Sequence, residues 1–213
     1  MPRRQPLDLE VLFVHGMGRT PLSGVPLMWM LRRGGLRTSA FSYFVSRESV
    51  ESIVHRLVAA IGDVASRGDY VVVGHSLGGV LLRAALARLD AGVPSPRKLF
   101  LLGSPVRQAR LACLLARNRV FRMLTGDCGQ LLASETRMRT LEYELSTPAI
   151  GVAGVLSLAG RLGPFDGEPN DGIVALSEVS AGWLSEQVQV PVAHTLLPSS
   201  PAVARVILER VTS

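Results

Sequence analysis

Short apolar runs alternate along the chain with longer segments in which apolar residues recur every three or four positions. Residues 9–14, 70–73 and 98–102 are nearly continuous apolar stretches, the pattern of strands covered on both faces. Residues 37–44, 149–153 and 188–192 bring the set of predicted strands to six. Between them lie helical patterns. Residues 49–67 carry apolar side chains at 50, 53, 54, 57, 58 and 61, and the pattern stops at Gly68. Residues 21–33, 77–89 and 202–211 are the other predicted helices. Strands and helices in this alternation predict a mostly parallel α/β sheet with helices on both faces.

The span 106–147 breaks the rhythm. It mixes Arg107, Arg110, Arg117, Arg119 and Arg122 with Leu111, Leu114, Leu115, Phe121 and Leu124, and has no acidic residue from Val106 to Arg122. It reads as a helical insertion after the fourth strand, so residues 1–213 form one expected domain. Packing against the sheet is its ordinary role. Its charge asymmetry also suits a lid, or peripheral contact of residues 107–122 with an anionic membrane surface.

Composition narrows the classes. The chain has 213 residues, 47% of them apolar, enough to bury a full core. Its formal charge of +6 would allow a nucleic-acid partner, but aromatic content is 5% and no zinc-finger, RNP or basic-arm pattern occurs. No nucleic acid is expected. Cys113 and Cys128 lack metal-ligand spacing. The first residues show no apolar core of a signal peptide, and the apolar, uncharged stretch 145–160 is interrupted by Pro148, Gly151 and Gly154. A cytoplasmic protein is the expectation.

The candidate chemistry begins at Gly74-His75-Ser76-Leu77-Gly78, which follows a predicted strand and opens a predicted helix. A G-x-S-x-G motif in that context holds serine on a sharp turn, with its hydroxyl at the carboxyl edge of the sheet. A serine needs a base, and the base needs an orienting carboxylate, in the chain order Ser, Asp or Glu, His. Of four histidines, His15 and His55 precede Ser76, and His75 is its neighbour, expected to point elsewhere on the turn. His194 alone satisfies the order. For the acid, Asp171 and Asp166 compete; each is followed by glycine, and Asp171 is preferred because Ile173 and Val174 can anchor its loop. Backbone N–H groups of Leu77 and of Met17, in the His-Gly-Met-Gly turn after the first strand, are the candidate oxyanion donors.

In this order and spacing, "FVHGMGRTPLSG", "GHSLGG", "LLGSP", "NDGIVALSEV" and "VAHTLLPSSPAVARVILERV" resemble compact bacterial α/β-hydrolases of the esterase/lipase group. The resemblance runs from about residue 9 to the end and is weakest through the insertion. It implies an α/β-hydrolase fold with Ser76 as nucleophile, Asp171 as acid, His194 as base, and Met17 and Leu77 at the oxyanion. The expected reaction is hydrolysis of a small-molecule or lipid carboxylic ester with an apolar acyl chain, without metal or cofactor. Acyltransferase and thioesterase chemistry would use the same residues. A non-catalytic binding protein on this fold is the remaining alternative. The glycine-rich segment 149–160 and the Leu- and Phe-bearing insertion are the expected acyl-chain walls. The chain has Val106-Arg107-Gln108 where the group often has Gly-Ser after the "SP" turn.

Overall fold

A computed structural model describes residues 8–141, 146–157 and 163–211. Six strands form one sheet: β1 (Glu10–Val14), β2 (Arg37–Phe41), β3 (Tyr70–His75), β4 (Leu99–Leu102), β5 (Ala149–Gly154) and β6 (Glu186–Val190). Their spatial order is β2-β1-β3-β4-β5-β6, and every pairing is parallel. The chain leaves β1 toward one edge and returns at β3 toward the other. This reversal opens a crevice outside the carboxyl ends of β1 and β3, where open parallel sheets bind ligands.

Side chains alternate along each strand, so the inner strands contribute to two cores. Val11, Phe13, Val71, Val73, Phe100 and Leu102 pack with Leu27 and Leu31 of α1 (Val25–Arg33) and with Val203 and Ile207 of α8 (Pro201–Val211). Leu12, Val14, Val72, Leu99 and Leu101 pack on the opposite face. Their partners are Ile53, Leu57 and Ile61 of α2 (Val50–Ala65), and Val80 and Leu81 of α3 (Leu77–Leu86). Both layers exclude water from the central strands, which is why those strands read as unbroken apolar runs.

The boundaries shift where local chemistry overrides the pattern. The predicted helix 21–33 divides into a 3-10 turn, Pro21–Gly24, and α1, with a proline in the first turn of each. The last strand starts earlier than expected, at Glu186. As an edge strand it carries half-buried Glu186 and Gln187, so its polar residues hide its start.

Between β4 and β5 lie α4 (Arg110–Leu115), α5 (Arg119–Leu132, kinked at Gly126) and α6 (Glu135–Arg139). Asn118 caps α5, its Oδ1 accepting the N–H groups of Val120 and Phe121. Two carboxylates fasten these helices to the body. Asp127 accepts the Val50 N–H at the start of α2 at 2.9 Å, and Arg137 pairs with it at 2.8 Å. Buried Glu178, on α7 (Leu176–Val179), accepts the N–H of Arg110 and that of Ala175, both at 2.6 Å. Residues 142–145 of the insertion and 158–160 of the glycine-rich segment lie outside the described residues. Among the described residues, no helix is long and apolar enough to cross a membrane.

Candidate active site

β3 ends at His75, and α3 starts at Leu77, so Ser76 alone makes the turn. It does so at φ 52° and ψ −123°, a conformation that costs a non-glycine residue on the order of 1–3 kcal/mol. The surroundings hold it there. The Ser76 N–H donates to Leu102 O at 2.9 Å, and Ser76 O accepts the Gly79 N–H at 3.0 Å and the Ser104 hydroxyl at 2.7 Å. The glycines around it are a packing necessity: a Cβ at Gly74 would lie 2.4 Å from Gly79 N, and one at Gly78 would lie 2.2 Å from Val14 O. The turn therefore fits tightly between β1 and β4.

Asp171 and His194 meet across loops that follow β5 and β6. His194 Nδ1 lies 2.7 Å from Asp171 Oδ2, and both side chains are buried. An ionised carboxylate can only accept, so Nδ1 is the donor of this contact, and in a neutral ring that leaves the lone pair on Nε2. The other carboxylate oxygen accepts the N–H groups of Ile173 at 3.0 Å and Val174 at 2.9 Å. The His194 N–H donates to Asp171 O at 3.0 Å, lacing the two loops together. Asp166, the competing acid, is exposed and lies 3.8 Å from Arg110, apart from the histidine.

Ser76 and His194 line one cavity of about 290 Å³, which also reaches Gly16 and Met17. Among the described residues no hydrogen bond joins Ser76 to His194. Such contacts are often long without substrate and tighten only in the reacting complex. The N–H groups of Met17 and Leu77 make no hydrogen bond with any described acceptor. Leu77 is the first residue of α3, where an N–H has no intrahelical partner and the helix dipole favours negative charge. The remaining wall is apolar: Ala109, Leu111, Ala112, Leu115, Phe121 and Leu132 come from or beside α4 and α5. Nothing described between 149 and 157 borders the cavity, so the wall expected from that segment is supplied by the insertion.

His75 departs from expectation. It does not point away but borders the cavity, with its ring 4.9 Å from that of His194. Its Nε2–H donates to the His194 carbonyl at 3.0 Å, which leaves Nδ1 buried without a partner among the described residues. Burial, reinforced by the neighbouring His194, holds its pKa well below the usual histidine value, so the ring stays neutral. His15 organises the first turn, stacking on Tyr43 at 4.2 Å while the Tyr43 hydroxyl donates to His15 O. Arg19 also reaches the cavity. Cys113 is exposed and Cys128 buried, and both are free thiols.

Three contributors escaped the sequence reading. Gly103 has φ 53°, and a Cβ there would lie 3.0 Å from His194 Nδ1 and 3.1 Å from Asp171 Oδ2. Ser104 holds the Ser76 carbonyl, and Glu178 secures α4 over the cavity. The "LLGSP" run after an apolar strand was the available signal for the first two. Glu178 had none, because a glutamate in a helical stretch reads as a solvated residue.

No family model matches the sequence, and no curated protein matches it. Solved structures do match. A lipase from Bacillus licheniformis, in its propeptide form, aligns with a TM-score of 0.77 at 16% identity, over 96% of this chain and 50% of that one. A metagenomic carboxyl esterase aligns with a TM-score of 0.73 at 16% identity, over 95% and 74%. The thioesterase of the prodiginine biosynthetic pathway in Streptomyces coelicolor aligns with a TM-score of 0.61 at 18% identity, over 96% and 89%. The chain thus spans half the length of the lipase and most of the thioesterase. At these identities the likeness is one of fold. The chain has the α/β-hydrolase fold.

Proposed function

We propose that the protein is a serine carboxylic-ester hydrolase acting on small-molecule or lipid esters with apolar acyl chains. The observation that carries this reading is the 2.7 Å contact of buried Asp171 with His194, which lines one cavity with a strained serine. In the first step Ser76 Oγ bonds to the ester carbonyl carbon while His194 Nε2 takes its proton. The negative charge that develops on the carbonyl oxygen accepts hydrogen bonds from the N–H groups of Met17 and Leu77. As the tetrahedral intermediate collapses, the C–O bond breaks and the alcohol leaves with the proton from Nε2. Water then attacks the acyl-enzyme, giving its proton to the same nitrogen, and Ser76 is regenerated with release of the acid. Asp171 remains ionised and keeps the imidazole in the required tautomer.

Hydrolysis of p-nitrophenyl esters by wild type and Ser76→Ala tests the mechanism. Loss of the hydroxyl should lower kcat on the order of 10⁶-fold; equal rates in the two proteins would reject it. Fluorophosphonate labelling at Ser76 separates an enzyme from a binding protein on the same fold. Thioester cleavage is a second reading, supported by the thioesterase that matches most of this chain's length. Acyl-thioester and oxygen-ester donors of equal chain length, assayed with and without an alcohol acceptor, distinguish thioesterase, esterase and acyltransferase.

A further inference from the structure

Twelve large apolar side chains are exposed among the described residues. All but Trp29 and Trp183 lie on segments leaving the carboxyl ends of strands, such as Leu22 after β1, Phe44 after β2 and Leu196 after β6. Parallel pairing puts those segments on one edge of the sheet, and the cavity opens on that edge. The greatest concentration is at the turn joining α4 to α5. There Leu114 is 68% exposed, Val120 59%, Met123 69% and Leu124 58%. Water does not favour such a cluster, and monomeric surfaces rarely hold one without use.

Charge says what would cover it. Arg117, Arg119 and Arg122 stand exposed among these side chains, and none forms an ion pair with a described acid. Other arginines, Arg56, Arg88, Arg110, Arg137 and Arg139 among them, hold a carboxylate, while Arg19, Arg32, Arg33, Arg47, Arg107 and Arg205 likewise pair with no described acid. The α4–α5 turn is set apart by having three such arginines within six residues, among four exposed apolar side chains. Apolar side chains flanked by uncompensated guanidiniums fit the boundary of an anionic bilayer, with the former below the headgroups and the latter at the phosphates. The opposite sides of the same two helices present Leu111, Leu115 and Phe121 to the cavity. A bilayer at the turn would therefore lie next to an apolar path toward Ser76.

We propose that the α4–α5 turn is an anchor that seats the cavity mouth on an anionic lipid surface. Docking does not depend on the hydrolytic reading, so it is measured on the full chain carrying Ser76→Ala. Cosedimentation with phosphatidylglycerol vesicles should show binding that weakens as salt rises, while phosphatidylcholine vesicles of equal size retain little protein. Replacing Arg117, Arg119 and Arg122 together by glutamine should lower partitioning roughly 10²-fold, from about fivefold per charge. The corresponding triple lysine variant should bind like the parent. Met123→Asp with Leu124→Asp should abolish binding while leaving p-nitrophenyl ester hydrolysis by the Ser76 protein unchanged. A polarity-sensitive dye on exposed Cys113 should shift to the blue with phosphatidylglycerol alone. Cys128 will not compete for the dye, because burial pushes its thiol up to about 12. Equal binding to both lipids, or an undiminished triple glutamine variant, would overturn the proposal. So would self-association without lipid that Met123→Asp removes, since the turn would then meet a second copy of the chain.

Discussion

Gly103→Ala isolates the geometry on which the proposed chemistry turns. Gly103 leaves β4 at φ 53°, where an L-residue costs roughly 1–2 kcal/mol. The added Cβ would lie 2.8 Å from Leu197 Cδ1, 3.0 Å from His194 Nδ1 and 3.1 Å from Asp171 Oδ2. Unstrained carbon contacts lie near 3.5–4.0 Å, so each neighbour must retreat by about half an ångström. Leu197 can turn about its own bonds. The imidazole is bound to the carboxylate at 2.7 Å, and the carboxylate also accepts the N–H groups of Ile173 and Val174, so the pair must move as a unit or separate. A displacement of 1 Å in a reacting group costs about 10² in rate, so this smaller one should cost kcat/KM about tenfold. The melting temperature should fall by roughly 2–8 °C from the backbone strain. p-Nitrophenyl ester kinetics and fluorophosphonate labelling rates should fall together, with KM nearly constant. Gly62→Ala is the control: its Cβ would meet nothing within 4 Å, and removing a helix-interior glycine should raise stability by about 0.5–1 kcal/mol. Full kcat/KM in a destabilised Gly103→Ala protein would refute the reasoning, leaving the glycine a purely backbone role.

Two further predictions use the same assays. Asp171→Asn should lower kcat about 10⁴-fold through the wrong histidine tautomer, while Asp166→Asn, at an exposed site away from His194, should leave the rate within about twofold. Glu10 is held below the usual carboxylate range chiefly by Arg67, which donates to it at 2.7 and 3.1 Å, against the opposing effect of burial. Its contribution is therefore complete above the unfolded value near 4.5 and lost as pH falls through the lowered folded value. Denaturation curves from pH 7 to 3 should show wild-type stability falling more steeply than that of Glu10→Gln, and parallel curves would exclude this carboxylate as a source of acid sensitivity.

Much of the fold was legible in local order. The four inner strands are legible because residues covered by helices on both faces must be apolar, the half-exposed edge strands β2 and β6 less so, and the helix 49–67 because its 3.6-residue period admits one buried stripe. Ser76 was legible for a similar reason, since its turn, its glycines and the helix that follows are all built from neighbours in sequence. Histidine scarcity and chain order singled out His194. Asp171 was preferred to Asp166 on the apolar residues behind it, and the N–H groups of two of those residues, Ile173 and Val174, do bind its carboxylate.

What remained hidden depends on segments far apart in the chain. No local pattern shows that the His75 ring reaches the carbonyl of residue 194, that a glycine after β4 abuts a histidine after β6, or that Glu178 fastens the start of α4. Nor does the sequence show that α4 and α5, rather than the glycine-rich stretch after β5, wall the cavity. The alternation of apolar and polar residues says which side of an element is buried; it does not say against what. Strand order decides that, and it is selected by packing energy summed over both faces of the sheet, a quantity that exists only once the chain has closed on itself.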